Sequence, residues 1–137
     1  MSKYVELRTS VTDERYLVEA LRELGYQPEL CPEGRPLVGY LGDKRAEQAQ
    51  IIIPRGQLDS ASNDIGFARD GTGVYQAIVS EYDRGIGFDD AWLGRLVQVY
   101  KERQTMAVAN SKGYVFKGKD VIDTPQGKKI QLRFAVR

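Results

Sequence analysis

Twice in this chain an aliphatic stripe at helical spacing runs into the pair Gly-Tyr and then into an alternating, strand-like segment, and that repeated order limits the folds open to it. The first stripe is Leu17, Leu21 and Leu24, with Ala20 beside it, and it ends at Gly25-Tyr26. The second is Trp92, Leu93, Leu96, Val97 and Tyr100, in a helical run that ends at Gly113-Tyr114. Residues three and four apart share one side of a helix, so each stripe is a face that has to be buried. A glycine just past the stripe suits the left-handed helix end that other residues enter only at a cost. The tyrosine after it can fold over the last turn and begin a strand. The Gly-Tyr pairs therefore read as punctuation rather than as a functional signature.

The intervening segments fill in the rest. Residues 3 to 9 alternate closely enough for a strand with one wet face. Thr12 reads as the N-cap of the first helix, with Asp13 and Glu14 in the first turn, where the helix dipole favours anions. Pro28, Pro32 and Pro36 with Gly34 interrupt the segment after Tyr26, as in an edge strand or an irregular arm. Residues 36 to 42 and 49 to 55 are the next two strands, joined by the turn Gly42-Asp43-Lys44-Arg45. Ile51, Ile52 and Ile53 in succession imply burial on both faces and a central position. Residues 56 to 63, GQLDSASN, read as a mobile loop. Asp70-Gly71 signals a hairpin with Ile65, Phe67, Val74, Ala77 and Val79 facing inward. Asp89 or Asp90 caps the second helix. The last hairpin has Pro125 and Gly127 in its turn, and its final strand alternates Ile130, Leu132, Phe134 and Val136 with Lys129, Gln131, Arg133 and Ala135, which predicts one buried face.

Strand, capped helix, Gly-Tyr, strand and hairpin partner thus occur in the same order over about residues 3–55 and again over about 73–137. Neither half can cover its own helix stripe. The expected fold is α+β: a two-layer sandwich with a mainly antiparallel sheet and two helices on one face, built from two similar β-α-β-β units in a single domain over 1–137.

Composition excludes more chemistry than it suggests. Among the 137 residues there is no histidine, which removes Ser-His and Cys-His nucleophile activation and His-bound zinc, and leaves carboxylate, lysine or tyrosine for proton transfer. The single cysteine, Cys31, allows no intramolecular disulfide, and with Glu29 and Glu33 as its nearest charges it reads as an inert thiol at the lip of a turn. No stretch approaches the roughly 18 apolar residues of a membrane-spanning helix, and the polar start MSKYVELRTS lacks the apolar stretch of a secretion signal, so a cytoplasmic protein without a membrane partner is expected. Charge is uneven: residues 101–137 carry nine Lys or Arg against three Asp or Glu, although the net charge is only +1.

Three groups of residues offer sites. Gly85-Ile86-Gly87 precedes a helix start, as in a phosphate cradle, but Asp89 and Asp90 follow it. A helix terminus attracts an anion by about 0.3–1 kcal/mol, whereas a carboxylate at about 4 Å repels it by roughly 1–4 kcal/mol, so repulsion wins. Glu81, Asp83, Asp89 and Asp90 are the densest acidic group and would suit a hard divalent cation, although their spacing matches no EF-hand loop. Lys117, Lys119, Lys128, Lys129 and Arg133, with Tyr114 and Phe116 near them, form a basic set of the kind that tracks nucleic acid or another anion; lysines on exposed strands equally guard a sheet edge.

Five short segments carry a likeness: the Met1-Ser2 start, Leu24-Gly25-Tyr26, Asp64-Ile65-Gly66-Phe67, Tyr82-Asp83 and Ile130-Gln131-Leu132-Arg133. On these the whole chain resembles an uncharacterised family of small conserved open-reading-frame proteins from cyanobacteria, other bacteria and plastid genomes, a domain of unknown function. Lys3 stands where that family often has His. The resemblance implies no activity and no cofactor; that some members are encoded beside AAA-type ATPases implies an accessory role. The expectation is a non-enzymatic interaction module with a protein partner, an AAA-type ATPase complex being the implied one, docking by an exposed strand or the 56–63 loop. Nucleic-acid binding through the basic hairpin is the alternative, and an enzyme using Glu81 with Asp83 or Asp89 and a hard metal is the third reading.

Overall fold

Strands β1 (Tyr4–Arg8), β2 (Glu29–Val38), β3 (Lys44–Ile53), β4 (Ile65–Arg69) and β5 (Tyr75–Ser80) form one antiparallel sheet in the order β1-β5-β4-β3-β2 in the computed structural model, which describes residues 2–136. Helix α1 (Glu14–Glu23) follows β1, a short α2 (Glu81–Gly85) follows β5, and α3 (Asp90–Ser111) leads into β6 (Tyr114–Thr124) and β7 (Gly127–Val136). The last two strands pair only with each other, in a separate two-stranded sheet. The chain divides into two units, 1–100 and 101–137, with the boundary inside α3.

In the first unit both helix stripes lie on the same face of the five-stranded sheet. Leu17, Val18, Ala20 and Leu21 of α1 and Trp92, Leu93, Leu96 and Tyr100 of α3 form one buried cluster with Ile51, Ile53, Ile65, Phe67, Tyr75, Ala77 and Val79. The register accounts for the set: Ile51 pairs with Phe67 and Phe67 with Ala77, and directly paired residues project to one side. Ile52 and Ile78 project to the other side, where they pack with Leu37 and Ala49 against Tyr4, Cys31 and Ala68. The isoleucine triplet is buried on both faces as its composition predicts, and Cys31 lies half-buried along β2 rather than at a turn.

The ends of α1 show local chemistry at work. Asp13, not Thr12, is the N-cap and accepts from Arg15 N at 3.0 Å. Thr12 N and Asp13 N donate instead to the Tyr100 hydroxyl at 3.3 and 3.1 Å, so α3 satisfies the entry of α1. At the other end Gly25 has φ +97°, its N–H reaches Arg22 O, and Tyr26 N–H reaches Leu21 O, both at 3.0 Å. This is a Schellman end, and the Tyr26 ring packs on Phe88 and Trp92 with centroids 6.3 and 6.1 Å away. The Gly-Tyr pair is punctuation.

The β4–β5 hairpin forms around Asp70-Gly71 as expected, but Tyr75 occupies the inward place expected of Val74, which lies in the turn. The Asp70 carboxylate accepts from the Thr72 hydroxyl and N–H, from Gln76 Nε2 and from Val74 N. These bonds, the Thr72 hydroxyl first among them, hold its pKa down to about 2. A depressed carboxylate contributes stability above its unfolded value and loses it as pH falls through the folded one. We therefore expect an NMR titration of the Asp70 carboxyl carbon to show a midpoint near 2, and a midpoint near the ordinary 3.8 would contradict these bonds.

Gly66 is required for space rather than for dihedral freedom. A Cβ there would come 2.7 Å from Ala49 Cβ and 2.9 Å from Leu37 Cδ2. Gly66→Ala should cost about 1–3 kcal/mol by overpacking, read from urea unfolding, and an unchanged midpoint would contradict the tight stacking on that face.

The α+β class and the two helices on one face hold. The difference lies in the second half: β5, α3, β6 and β7 keep the expected order with α2 inserted, but the β6–β7 hairpin adds no strand to the sheet that β5 enters.

Candidate functional site

The four carboxylates singled out by sequence do separate jobs. Asp83 is buried within α2, and its Oδ2 accepts from the Ser80 hydroxyl at 2.6 Å and from Asn63 N and Nδ2 at 3.0 and 3.3 Å; its Oδ1 is buried without a protein partner. Asp89 caps α3 by accepting from Trp92 N at 3.1 Å. Asp90 faces Arg84 at 3.5 Å in the open, and Glu81 is exposed in the first turn of α2. Among the described residues no group of three or more His, Cys, Asp or Glu is placed to hold a metal ion.

The segment expected to be mobile is instead closely bonded. Gln57 exchanges two hydrogen bonds with the Gln27 backbone at 2.8 and 2.7 Å, and Tyr82 donates its hydroxyl to Asp59 at 2.9 Å. Next to it, Asp64 is buried and accepts from Arg55 N at 2.8 Å, Val38 N at 2.9 Å and Arg35 Nη1 at 3.1 Å. Burial works against the Arg35 charge, but the hydrogen bonds it donates to Glu29 and Asp64 outweigh it and hold the guanidinium above its usual pKa. Asn63 and Asp64 thus tie the segment to β2, β5 and α2. Nothing in the letters SASND distinguishes a solvated loop from this buried clamp, because the donors come from residues 9 to 29 positions away.

The β6–β7 ribbon is different in kind. Its strands are 11 and 10 residues long, yet none of their side chains is among the buried hydrophobic ones. The face expected to be buried is only partly covered: Ile130, Leu132 and Phe134 are half-buried and Val136 is 78% exposed. β6 and β7 pair only with each other, not in the shared sheet that the sequence led us to expect. On the same side the register places Tyr114 opposite Val136, Phe116 opposite Phe134 and Val121 opposite Ile130. Tyr114, Phe116 and Val121 are 40%, 42% and 57% exposed, and the Phe116 and Phe134 rings meet with centroids 5.8 Å apart.

The five cations predicted to act together are divided by the ribbon. Lys119 and Lys128 project with the aromatic side, whereas Lys129 and Arg133 project to the other, and Lys117 sits at a bulge between Phe116 and Gly118. Lys119 Nζ pairs with the buried Glu102 at 3.2 Å. Arg133 Nε pairs with Asp120 at 2.8 Å, and its guanidinium lies over Gly118, where a Cβ would come 2.5 Å from Nη2. Lys128 stands opposite Asp123. Sequence alternation marked the hairpin and its lysines, but not the exposure of its apolar side.

No helix of the described residues is long and apolar enough to cross a membrane. No curated protein and no solved structure matches the chain. The chain belongs to the family described as Protein of unknown function (DUF1257), which matches residues 20–125.

Proposed function

We propose that this chain is a non-enzymatic interaction module that docks on a larger protein through the β6–β7 ribbon. The observation that carries the reading is the ribbon's apolar side, with Tyr114, Phe116, Val121 and Val136 exposed on strands that contribute no buried hydrophobic residue. A two-stranded ribbon is marginal in water by itself, and clustered exposed aromatics mark surfaces that another molecule covers. The scattered roles of Glu81, Asp83, Asp89 and Asp90 favour docking over carboxylate catalysis. The pairing of Lys119 and Arg133 with carboxylates favours a protein over a nucleic acid. An ATPase complex in the cytoplasm is the partner the family resemblance suggests.

Co-purification from the native host tests this, comparing the natural chain with a Phe116→Ser, Val121→Ser double variant. The natural chain should retain a protein in stoichiometric amount and the variant should lose it. Recovery of the chain alone, or equal retention by both forms, would overturn the reading.

A further inference from the structure

Four strands present an edge with no further strand beside it among the described residues: β1 and β2 in the large sheet, β6 and β7 in the ribbon. Three of them are poor templates. β1 is five residues long. β2 contains Pro32 and Pro36 and pairs with two register shifts. β6 is broken by the bulge at Lys117, whose extra residue bends the strand and interrupts its ladder. β7 alone runs uninterrupted for ten residues, Gly127 to Val136, with consecutive pairing to β6 and no proline. Over that length it carries Lys128, Lys129 and Arg133 and no carboxylate.

Building on the docking reading, we infer that the free edge of β7 receives an extended acidic segment of the partner protein as an added strand. The segment's chemistry is set by the pleat. Residues of an added strand fall on the same two sides as their cross-strand neighbours. Apolar side chains beside Ile130, Leu132 and Phe134 extend the open aromatic face, while carboxylates on the opposite side meet Lys129 and, beyond its pairing with Asp120, Arg133. A second copy of the chain is a poorer occupant, since two β7 edges bring six cations together with no carboxylate between them. The lysines that keep β7 strands of like charge apart are those that reward an acidic guest, and the main-chain ladder supplies affinity that charge alone does not.

The test uses the full chain and three ten-residue peptides in which Glu, Gln or Lys alternates with Val, with binding read by fluorescence anisotropy. The Glu peptide should bind roughly tenfold more tightly than the Gln peptide, as two or more favourable cross-strand charge pairs imply. The preference should disappear in Lys129→Glu, which lies on the carboxylates' side, and persist in Lys128→Glu, which lies on the apolar side; both variants leave Arg133 and Asp120 untouched. Methylating alternate backbone nitrogens of the Glu peptide should abolish binding. Equal binding of the Glu and Gln peptides, unchanged binding after methylation, tighter binding of single-stranded DNA or RNA through the same lysines, or self-association of the chain through β7 would each overturn the inference. Peptides that fail while Phe116→Ser, Val121→Ser still abolishes co-purification would remove the strand-addition inference and leave the docking reading. A partner retained by that variant would remove the docking reading itself.

Discussion

Replacing Asp64 by alanine should cost about 2–4 kcal/mol, because the buried carboxylate is the acceptor of two backbone donors and one of two carboxylates that hold Arg35. Its side chain is 3% exposed and accepts from Arg55 N, Val38 N and Arg35 Nη1. Its own backbone carries two more links: Asp64 N–H reaches Val38 O at 2.9 Å and the Tyr4 hydroxyl donates to Asp64 O at 2.7 Å. Alanine leaves those last two bonds in place and removes the acceptor of Val38 N and Arg55 N, while Arg35 keeps Glu29 and Pro36 O. Asp64→Asn is the sharper variant, since it keeps shape and one acceptor oxygen but turns an NH₂ toward at least one donor, and it should recover only part of the loss. Burial at this corner, with the Asp64 charge adding to it, also pushes the Tyr4 hydroxyl pKa up. Urea unfolding of both variants measures the effect. A loss under about 1 kcal/mol for Asp64→Ala would mean that water reaches the donors and that residues 54–64 are not clamped as described.

Phe67→Ala should be comparably severe, about 3–5 kcal/mol, and for an unrelated physical reason. The ring is 1% exposed at the middle of β4, between Ile51 of β3 and Ala77 of β5, on the side covered by α1 and α3. Removing it loses transfer free energy and leaves a cavity beneath two helices that can close only partly. Phe116→Ala in the ribbon is the matched control. That ring is 42% exposed and meets chiefly Phe134, so its loss should cost no more than about 0.5–1.5 kcal/mol, the worth of an aromatic pair. Two phenylalanines of equal volume with unequal stability effects separate a core residue from a contact surface. Equal large losses would place Phe116 in a core and remove the ground for docking there.

Much of the first unit was legible because its signals are local. The spacing of Leu17, Leu21 and Leu24, the glycine after them and the isoleucine triplet each act within a turn of helix or a few strand residues, and the helix and the buried strand form, although β2 ends at Val38 rather than at 42 and β3 spans Lys44–Ile53 rather than 49–55. The cap slipped by one residue, from Thr12 to Asp13, whose carboxylate takes Arg15 N, while the Tyr100 hydroxyl takes the N–H of both residues. The prolines and Gly34 after Tyr26 pointed to an edge strand or an irregular arm, and the first alternative holds: residues 29–35 are seven of the ten residues of the edge strand β2, where a missing N–H is tolerated. The candidate sites were less legible. Asp83 and Asp64 carry the same letter as the exposed Asp70, and only donors far along the chain bury them. In the last strand the alternation of Ile130, Leu132, Phe134 and Val136 predicted two sides correctly, but periodicity does not say whether anything covers the apolar one.

Hydrogen–deuterium exchange of the chain, free and bound to the protein recovered by co-purification, tests the central claim most directly. The amides of β7 that point away from β6 should exchange rapidly in the free chain and slow roughly tenfold or more in the complex, with the five-stranded sheet unchanged. Protection that falls on residues 1–100 and leaves β7 as it was would contradict docking through the ribbon.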